Sequence, residues 1–266
     1  MKILYFCTTW GQKMSGWQDF FTGVVANGYQ GVEAALPVEG ERREFMEGLE
    51  QYGLKFIAQH CETMDTDLQL HQANYEERLH KLAALKPLFI NSHTGRDFFS
   101  QEQNCGLLDI AEKVTRATGI QIVHETHRGR FAYAAHVTAP FLNQRPELQL
   151  TLDVSHWCAV AESLLQDQPE AIDLAIKHTA HIHARVGFPQ GPQVADPSLP
   201  EYAEALAFHL NCWDKVVENY KGDILTITPE FGPIPYMPHQ LPQERQWQNN
   251  LYIMNLLKNR YQLKQS

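Results

Sequence analysis

The sequence predicts an α/β fold in which eight strand–helix units close a single parallel (β/α)8 barrel. The chain has 266 residues, and a barrel of this kind needs about 250. Strand-like and helical patterns alternate along its whole length, at about 33 residues per unit. No linker rich in Gly or Ser and no change of composition divides the chain. Residues 1–266 are therefore expected to form one domain.

An open, doubly wound sheet is the alternative fold. Such a sheet usually carries a glycine-rich phosphate-binding turn after its first strand. The corresponding segment here, CTTWGQKMSG at residues 7–16, does not have that pattern. The barrel is therefore the favoured prediction.

Eight short runs rich in apolar and β-branched residues predict the strands. In a barrel strand the side chains alternate between the interior and the surrounding helices, so one face of each run should be apolar. In chain order the predicted strands are residues 3–6, 31–34, 55–59, 88–92, 120–125, 148–153, 179–184 and 224–230.

The segments between these runs have helical periodicity. NYEERLHKLAALKP places Tyr75, Leu79 and Leu82 on one helical face. ERREFMEGLEQYG and CGLLDIAEKVTRATG finish at Gly53 and Gly119, and glycine is the residue that most often ends a helix. Each strand is thus followed by a helix of the length that a barrel requires.

The one irregular segment is residues 185–202, RVGFPQGPQVADPSLPEY, which contains four prolines and follows the seventh predicted strand. Long ordered loops in compact domains are often functional. Because proline restricts the backbone, this loop should be stiff. We expect it to cover a bound substrate as a partial lid.

Composition and charge restrict the function. Lys and Arg number 22 against 31 Asp and Glu, which gives a formal charge of −9. Phosphate binding relies on clustered cations, so nucleic acid is not expected as a partner. No apolar run approaches the about 18 residues of a membrane span, and the first residues lack a signal-peptide pattern. The five scattered cysteines contain no CxxC and indicate reduced thiols in a cytoplasmic protein.

The segment HTAHIHARVG, residues 178–187, carries polar residues on one face of a predicted strand. His181, His183 and Arg185 alternate with Ile182 and Ala184. The polar row could face water on an antiparallel strand, or it could face a buried site inside a barrel. The other strand ends favour the second interpretation.

Ligand-type side chains recur where the last four predicted strands end, at Glu125, Asp153, His183 and Glu230. In each strand the apolar residues fall on the opposite face, so all four should point inward. The C-terminal strand ends of a barrel carry its functional groups. Three carboxylates would repel one another there unless a cation neutralised them. This donor set predicts one divalent ion, with Mn²⁺ expected and Mg²⁺, Co²⁺ or Zn²⁺ left open.

At these positions the sequence resembles the xylose isomerase-like superfamily, specifically the sugar phosphate isomerase/epimerase group that includes ketose 3-epimerases. The resemblance spans essentially the whole barrel. It rests on Glu125 after the fifth strand, Asp153-Val154-Ser155-His156 after the sixth, His183 in HIH and Glu230 in TPEFGP. The early segment NGYQGVEAA is similar to the family's passage from a helix into the second strand.

The resemblance implies a role for each of these residues. All four ligand-type residues would bind the metal, and Glu125 and Glu230 would also act as acid and base. His156 and Arg185 match the family's substrate contacts. The superfamily also contains three-metal endonucleases, which carry an additional Asp-x-His between the seventh and eighth strands. No such triplet occurs between residues 185 and 229, so a single metal ion is expected.

Other polar residues have a structural explanation beside a functional one. His60 and His93 end the third and fourth strands and are expected to line the pocket as substrate contacts. Glu33 ends the second strand, where structural pairing and a substrate contact are equally open. His181 is expected to be a hydrogen-bonded core histidine. The remaining candidates are expected to be structural or exposed: helix packing for Trp10 and Trp17, solvated charge for His127, Arg128 and Arg130, and surface positions for His71, His80 and His136.

The favoured function is a metal-dependent isomerase or epimerase that acts on a sugar, sugar phosphate or small hydroxy-ketone. Proton transfer between Glu125 and Glu230 would proceed through an enediolate. An inosose dehydratase-like lyase of the same superfamily would use nearly the same ligands. A non-catalytic barrel that binds metal and sugar is the alternative of another class, and the second glutamate argues against it. Membrane association is not expected, and a homo-oligomer remains open.

Overall fold

Eight parallel strands form a closed barrel in the computed structural model, which describes residues 1–12, 16–241 and 244–262. Each strand pairs with the next one along the chain, and the first pairs with the eighth through Lys2–Ile224 to Tyr5–Ile227. The predicted (β/α)8 TIM barrel is therefore confirmed. None of the helices in the described ranges has the length and apolarity needed to cross a bilayer.

Strands and helices alternate as the sequence predicts, with one additional helix between the sixth and seventh strands. The strands are β1 (Lys2–Thr8), β2 (Gly31–Ala35), β3 (Lys55–His60), β4 (Ile90–Ser92), β5 (Ile122–Glu125), β6 (Leu150–Leu152), β7 (Thr179–His183) and β8 (Ile224–Thr228). In the described part of the chain the helices are α1 (Trp17–Ala26), α2 (Glu39–Gln51), α3 (Leu68–Ala83), α4 (Gln101–Thr118), α5 (Ala135–Gln144), α6 (Val154–Ala161), α7 (Pro169–Lys177), α8 (Ala203–Asn219) and α9 (Glu244–Gln262).

The predicted sixth and eighth strands extend past the observed strand ends. β6 ends at Leu152 and β8 at Thr228, so Asp153 and Glu230 lie just beyond their strands. Asp153 leaves the ladder because its carboxylate caps α6 by accepting a hydrogen bond from the backbone N–H of Ser155 at 3.1 Å. Both carboxylates consequently sit in the turns that follow the strands, which is where a barrel presents its functional groups.

The helix ends follow local capping chemistry. In α4 the side chain of Ser100 accepts from the backbone of Gln103, and the Gln103 side chain accepts from the backbone of Ser100. The same helix stops at Gly119, whose φ of 74° lies in the left-handed region that glycine tolerates. The predicted stop at Gly119 is confirmed.

The barrel interior has an apolar floor at its N-terminal end. Leu4, Phe6 and Ile57 are buried together there, with Phe89 packed against them. Gly31 is required beside this floor, because a Cβ at position 31 would lie 2.2 Å from the Phe6 ring. Polar side chains occupy the interior above the floor, toward the C-terminal strand ends.

The main hydrophobic core lies between the strands and the helices, and it confirms the predicted alternation. Leu150 and Leu152 of β6, Leu225 and Ile227 of β8 and Ile182 of β7 all belong to it. Each such side chain contributes about 1.5–3 kcal/mol when fully buried. The opposite faces of the same strands are therefore free to carry polar groups inward.

Two positions that the sequence places in solvent are buried. His71 lies on the inner face of α3, where its Nδ1 is 2.9 Å from the backbone oxygen of Asp65. Arg130 is 4% exposed because its guanidinium donates to the backbone oxygens of Thr63 and Cys61, at 2.8 and 2.7 Å. Both predictions were wrong because backbone carbonyls of the β3–α3 turn supply partners that a sequence pattern does not reveal.

Candidate functional site

A cavity of 210 Å³ opens at the C-terminal end of the barrel. A larger groove of 860 Å³ lies between α7 and α8, on the outside of the barrel. The barrel cavity contains the clustered titratable groups, so it is the candidate active site. It is lined by side chains from six strand-end loops: Trp10, Gln59, Cys61, His93, Glu125, His127, Arg185, Glu230 and Tyr236.

The four predicted metal ligands converge at the bottom of this cavity. Glu125 ends β5, Asp153 follows β6, His183 ends β7 and Glu230 follows β8. Each offers one nitrogen or oxygen atom within 4.8 Å of the corresponding atoms of the others, and all four side chains are buried. The Nδ1 atom of His183 lies 2.9 Å from Glu230 Oε2 and 3.5 Å from Glu125 Oε2.

Two buried atoms of this cluster, Nδ1 of His183 and Oε1 of Glu125, have no hydrogen-bond partner among the residues that the structure describes. An unsatisfied buried polar atom costs about 1–3 kcal/mol. A cation held between the side chains would satisfy both atoms. Carboxylate oxygens and an imidazole nitrogen are also the donors that Mn²⁺ accepts, so the residues fit the predicted ion.

The buried carboxylates of the cluster favour a positive charge beside them. Burial alone would raise the pKa of Glu125, but His93 and His183 hold it well below its usual range. Burial likewise would lower the pKa of His183, yet the carboxylates of Glu230, Glu33 and Glu125 raise it well above normal. The site thus attracts either a proton on His183 or a metal ion.

Arg185 lies inside the site, as predicted for a substrate contact. Its guanidinium pairs with Oδ2 of Asp153, whose pKa burial raises to about 6 while Arg185 partly opposes that effect. The same guanidinium lies 3.9 Å from Glu230 Oε2, beneath the rings of Trp10 and Tyr236. Arg185 therefore connects the carboxylate cluster to the aromatic wall of the cavity.

Apart from Arg185, the 185–202 loop does not line the cavity. The Gln193 amide donates to the backbone oxygen of Gly232 at 3.2 Å and accepts from its N–H at 2.7 Å, so the loop is bound to the segment after β8. Trp10 and Tyr236 form the wall instead, with ring centroids 5.1 Å apart. The helix-packing role predicted for Trp10 was wrong, because its ring packs on Tyr236 at the cavity. The loop beyond Arg185 lies outside the cavity lining, and the lid over a bound substrate stays a prediction. Trp17 does pack on a helix, against Phe45.

His93 and His156 both contact the cluster, in different ways. His93 lines the cavity, and its Nε2 lies 2.9 Å from Glu125 Oε2. His156 is fully buried and does not line the cavity. Its Nε2 accepts from the Arg185 guanidinium at 2.7 Å, and its ring packs on that of His127 with centroids 3.9 Å apart, so His156 lies behind two residues that line the cavity.

His60 lies outside the cavity, in contrast to the sequence prediction. Its two ring nitrogens are 3.1 Å from Ser92 Oγ and 2.8 Å from Thr63 Oγ1, and its ring packs on Tyr75 of α3. The reason is alternation along β3: Gln59 is the residue that faces inward. The Gln59 amide donates to Glu230 Oε1 at 3.2 Å and lines the cavity.

The structure also adds residues that the sequence interpretation missed or left open. Asn91 of β4 donates to Glu125 Oε2 at 2.8 Å. Because Asn91 alternates with the apolar Ile90, the sequence pattern could have predicted that it points into the barrel. Tyr236 follows β8 in a loop and gave no signal. Glu33 is fully buried and paired with His181 and His183, so it has the structural role rather than a substrate contact. His181 is a hydrogen-bonded core histidine, as predicted.

No protein-family model and no curated protein matches the sequence. Solved structures do match the fold. The match to the 3-keto-D-glucoside 4-epimerase from E. coli covers 96% of this chain and 100% of the epimerase chain, with a TM-score of 0.66 and 14% sequence identity. The probable 3-DHS dehydratase involved in petrobactin synthesis from Bacillus anthracis covers 98% and 100%, with a TM-score of 0.64 and 16% identity.

Endonuclease IV from Thermus thermophilus also matches, with a TM-score of 0.62, 14% identity and coverage of 96% of this chain and 99% of its own. At these identities the likeness establishes the fold alone. A xylose isomerase domain protein from Alicyclobacillus acidocaldarius also matches, with a TM-score of 0.56 and 13% identity, and the chain has the barrel fold that the sequence resemblance implied.

Proposed function

We propose that this chain is a divalent-metal-dependent enzyme that isomerises or epimerises a sugar or small hydroxy-ketone. It would do so by moving a proton at the carbon beside the carbonyl group. The observation that carries the proposal is the convergence of Glu125, Asp153, His183 and Glu230 beneath a small cavity. The likeness of the fold to an epimerase and a dehydratase supports it.

The four clustered side chains would hold the ion, with Mn²⁺ as the expected metal. When bound, the metal supplies Lewis acidity toward the carbonyl and hydroxyl oxygens of the substrate. The cavity of 210 Å³ is smaller than the roughly 300–1,000 Å³ of pockets for drug-sized ligands, which favours a small substrate. The formal charge of −9 also favours a small molecule over nucleic acid.

Glu125 and Glu230 would carry out the proton transfer. Glu125 ends β5 and Glu230 follows β8, strands on different sides of the barrel mouth, and both side chains line the cavity. A substrate between them presents opposite faces of its reacting carbon to the two carboxylates. The pKa of Glu125 lies well below its usual range, so its carboxylate is ionised and can act as the base. Removal of the proton by one carboxylate, and return of a solvent-derived proton carried by the other, would invert the carbon centre.

Arg185 and the aromatic wall would orient the substrate. The guanidinium is held by Asp153 and His156, so it can donate to a substrate oxygen without moving. The faces of Trp10 and Tyr236 offer apolar surface to the C–H side of a sugar. Fixed donors and rigid walls of this kind lower the entropy cost of reaching the reactive geometry.

Elimination of water is the second candidate reaction. The likeness to a probable 3-DHS dehydratase favours it specifically. Glu125 would again remove the proton beside the carbonyl, and Glu230 would deliver a proton to the departing hydroxyl group. The two reactions use the same residues and differ in their products.

One experiment tests the proposal and separates the reactions. The purified protein is dialysed against chelator, reloaded with Mn²⁺ and incubated with a panel of ketoses, aldoses and hydroxy-ketones in D₂O. We expect metal-dependent turnover that gives either an isomerised product with deuterium at the carbon beside the carbonyl or a dehydrated product that has lost the proton at that carbon. Turnover without metal, or an isomerised product without deuterium at that carbon, contradicts the proposed proton transfer.

A further inference from the structure

A fully buried carboxylate, Glu33 of β2, lies among the polar side chains of the barrel interior. Four groups surround its two oxygens. Oε1 accepts from the Asn91 amide at 2.9 Å and lies 3.0 Å from Nε2 of His183. Oε2 accepts from the Thr228 hydroxyl at 2.6 Å and lies 3.2 Å from Nε2 of His181.

Glu33 does not reach the cavity. Its side chain is fully buried, and it is absent from the cavity lining. It therefore acts only through the side chains that it contacts. Among them, His183 belongs to the cluster of Glu125, Asp153, His183 and Glu230, and it also lies within 4.8 Å of Glu33 and His181 in a second group of possible ligands.

The two nitrogens of the His183 ring have different surroundings. Nε2 faces the Glu33 carboxylate, whereas Nδ1 faces the carboxylates of Glu125 and Glu230 and has no hydrogen-bond partner. A neutral imidazole carries its proton on one nitrogen only. A carboxylate that accepts from one ring nitrogen leaves the lone pair on the other and makes it a stronger ligand.

Glu33 is itself held in place. Nδ1 of His181 lies 2.9 Å from the backbone oxygen of Thr226, which fixes the ring that contacts Glu33 Oε2. Asn91 donates to Glu33 and also to Glu125 Oε2, at 2.9 and 2.8 Å. The same hydrogen-bonded layer thus orients two of the four cluster residues from below.

We propose that Glu33 is the positioning residue of the metal centre. It accepts the proton of His183 Nε2 and so directs the lone pair of Nδ1 to the metal ion. This inference rests on the proposed function, because it requires that the cluster binds a divalent ion. Glu33 touches neither substrate nor metal, and its effect is exerted through His183.

The first test uses the unaltered protein loaded with diamagnetic Zn²⁺ and labelled with ¹⁵N-histidine. Nuclear magnetic resonance should show a proton on Nε2 of His183 and metal coordination through Nδ1. A proton on Nδ1, or coordination through Nε2, overturns the inference. Because no substitution is made, this result does not depend on the folding of a variant.

The second test compares Mn²⁺ binding by Glu33→Gln and Thr228→Val, measured by calorimetric titration. Glu33→Gln removes the negative charge beside His183, and the dissociation constant should rise 10- to 100-fold. Thr228→Val is the matched control, because it removes a donor to Glu33 Oε2 and leaves the contact with His183 intact. Its dissociation constant should stay within about twofold of the wild type.

The outcomes separate this inference from the proposed function. If the wild type binds no Mn²⁺, the proposed function fails and the inference fails with it. If the wild type binds Mn²⁺ and Glu33→Gln binds it equally well, only the inference is overturned. Equal weakening by Thr228→Val and Glu33→Gln would mean general damage to the barrel interior, and it overturns the inference as well.

Discussion

Asp153 and Arg185 form an ion pair that is closed off from solvent, with 0% and 2% of their side chains exposed. The pair joins the turn after β6 to the residue two positions beyond β7. Asp153 also caps α6 and belongs to the candidate metal cluster. The Asp153 carboxylate therefore caps α6, pairs with Arg185 and would bind the proposed ion. Its removal should affect both the stability of the fold and the binding of the metal, and the two effects can be measured separately.

Asp153→Ala should abolish the stabilisation that Mn²⁺ gives to the wild type. Binding to the native state alone contributes about 2.7 kcal/mol at a ligand concentration of 100 times the dissociation constant. Without metal the variant should already be less stable by about 3–5 kcal/mol, because it removes the carboxylate closest to the buried Arg185 guanidinium. Thermal unfolding of both proteins with and without Mn²⁺ measures the two effects. A variant that keeps the full metal-induced rise in Tm would show that Asp153 is not a ligand.

Arg185→Gln should lower kcat/KM by about tenfold or more while leaving the Mn²⁺ content unchanged, since a charged hydrogen bond to substrate contributes about 1.5–3 kcal/mol. The measurement is steady-state kinetics on the best substrate of the panel, together with metal analysis. Arg116→Gln, which breaks an exposed pair with Glu112, is the matched control and should have no effect. Unchanged kcat/KM in Arg185→Gln would assign Arg185 a purely structural role.

Glu125→Gln and Glu230→Gln should each reduce turnover by about a hundredfold or more, because the amide cannot accept the proton. Kinetics at saturating Mn²⁺ separate this loss from weaker metal binding. In D₂O the residual activity should still place deuterium beside the carbonyl. A variant with full turnover would identify its glutamate as a ligand only, and product without deuterium would favour hydride transfer.

His209 should make the fold sensitive to acid. Burial lowers the pKa of His209 to about 4, and its Nε2 accepts from the backbone N–H of Gly187 at 3.2 Å. The unfolded chain takes up this proton near pH 6.5 and the native chain only near pH 4, so stability is complete above pH 6.5 and falls as the pH drops between these values. The loss between pH 7.5 and 5 should be about 2 kcal/mol from this residue.

Urea unfolding of the wild type and His209→Gln at pH 7.5 and 5 checks that sign. The glutamine supplies a neutral oxygen acceptor for the Gly187 N–H, so the variant should lose about 2 kcal/mol less than the wild type over the same range. Other buried histidines contribute equally to both proteins and cancel in the comparison. An identical pH dependence in the two proteins would contradict the burial argument.

The strand pattern predicts the fold and the cluster because side chains alternate with a period of two. That alternation placed Glu125 and His183 inside the barrel, and the nearby turns brought Asp153 and Glu230 to the same end. The same rule assigns His60 and Gln59 to opposite faces of β3. Gln59 faces the cavity, whereas His60, the residue type more common in active sites, faces the helices.

Depth and loop conformation could not be predicted in the same way. Alternation tells that Glu33 points inward, but not that it contacts His183 instead of a substrate. The path of the loop after β7 depends on the pairing of Gln193 with Gly232, which are 39 residues apart in the chain. Contacts of that separation are set by the assembled barrel and leave no local signal.

The apolar floor formed by Leu4, Phe6, Ile57 and Phe89 closes the N-terminal end of the barrel interior. Asp153 and His183 do not line the cavity, so an ion held by the four-residue cluster would lie deeper than a substrate in the cavity. Under the proposed function, the ion and the substrate would both enter through the opening beneath Trp10 and Tyr236. The ion would then have to bind before the sugar, and a chelator should remove the metal more slowly when substrate fills this opening.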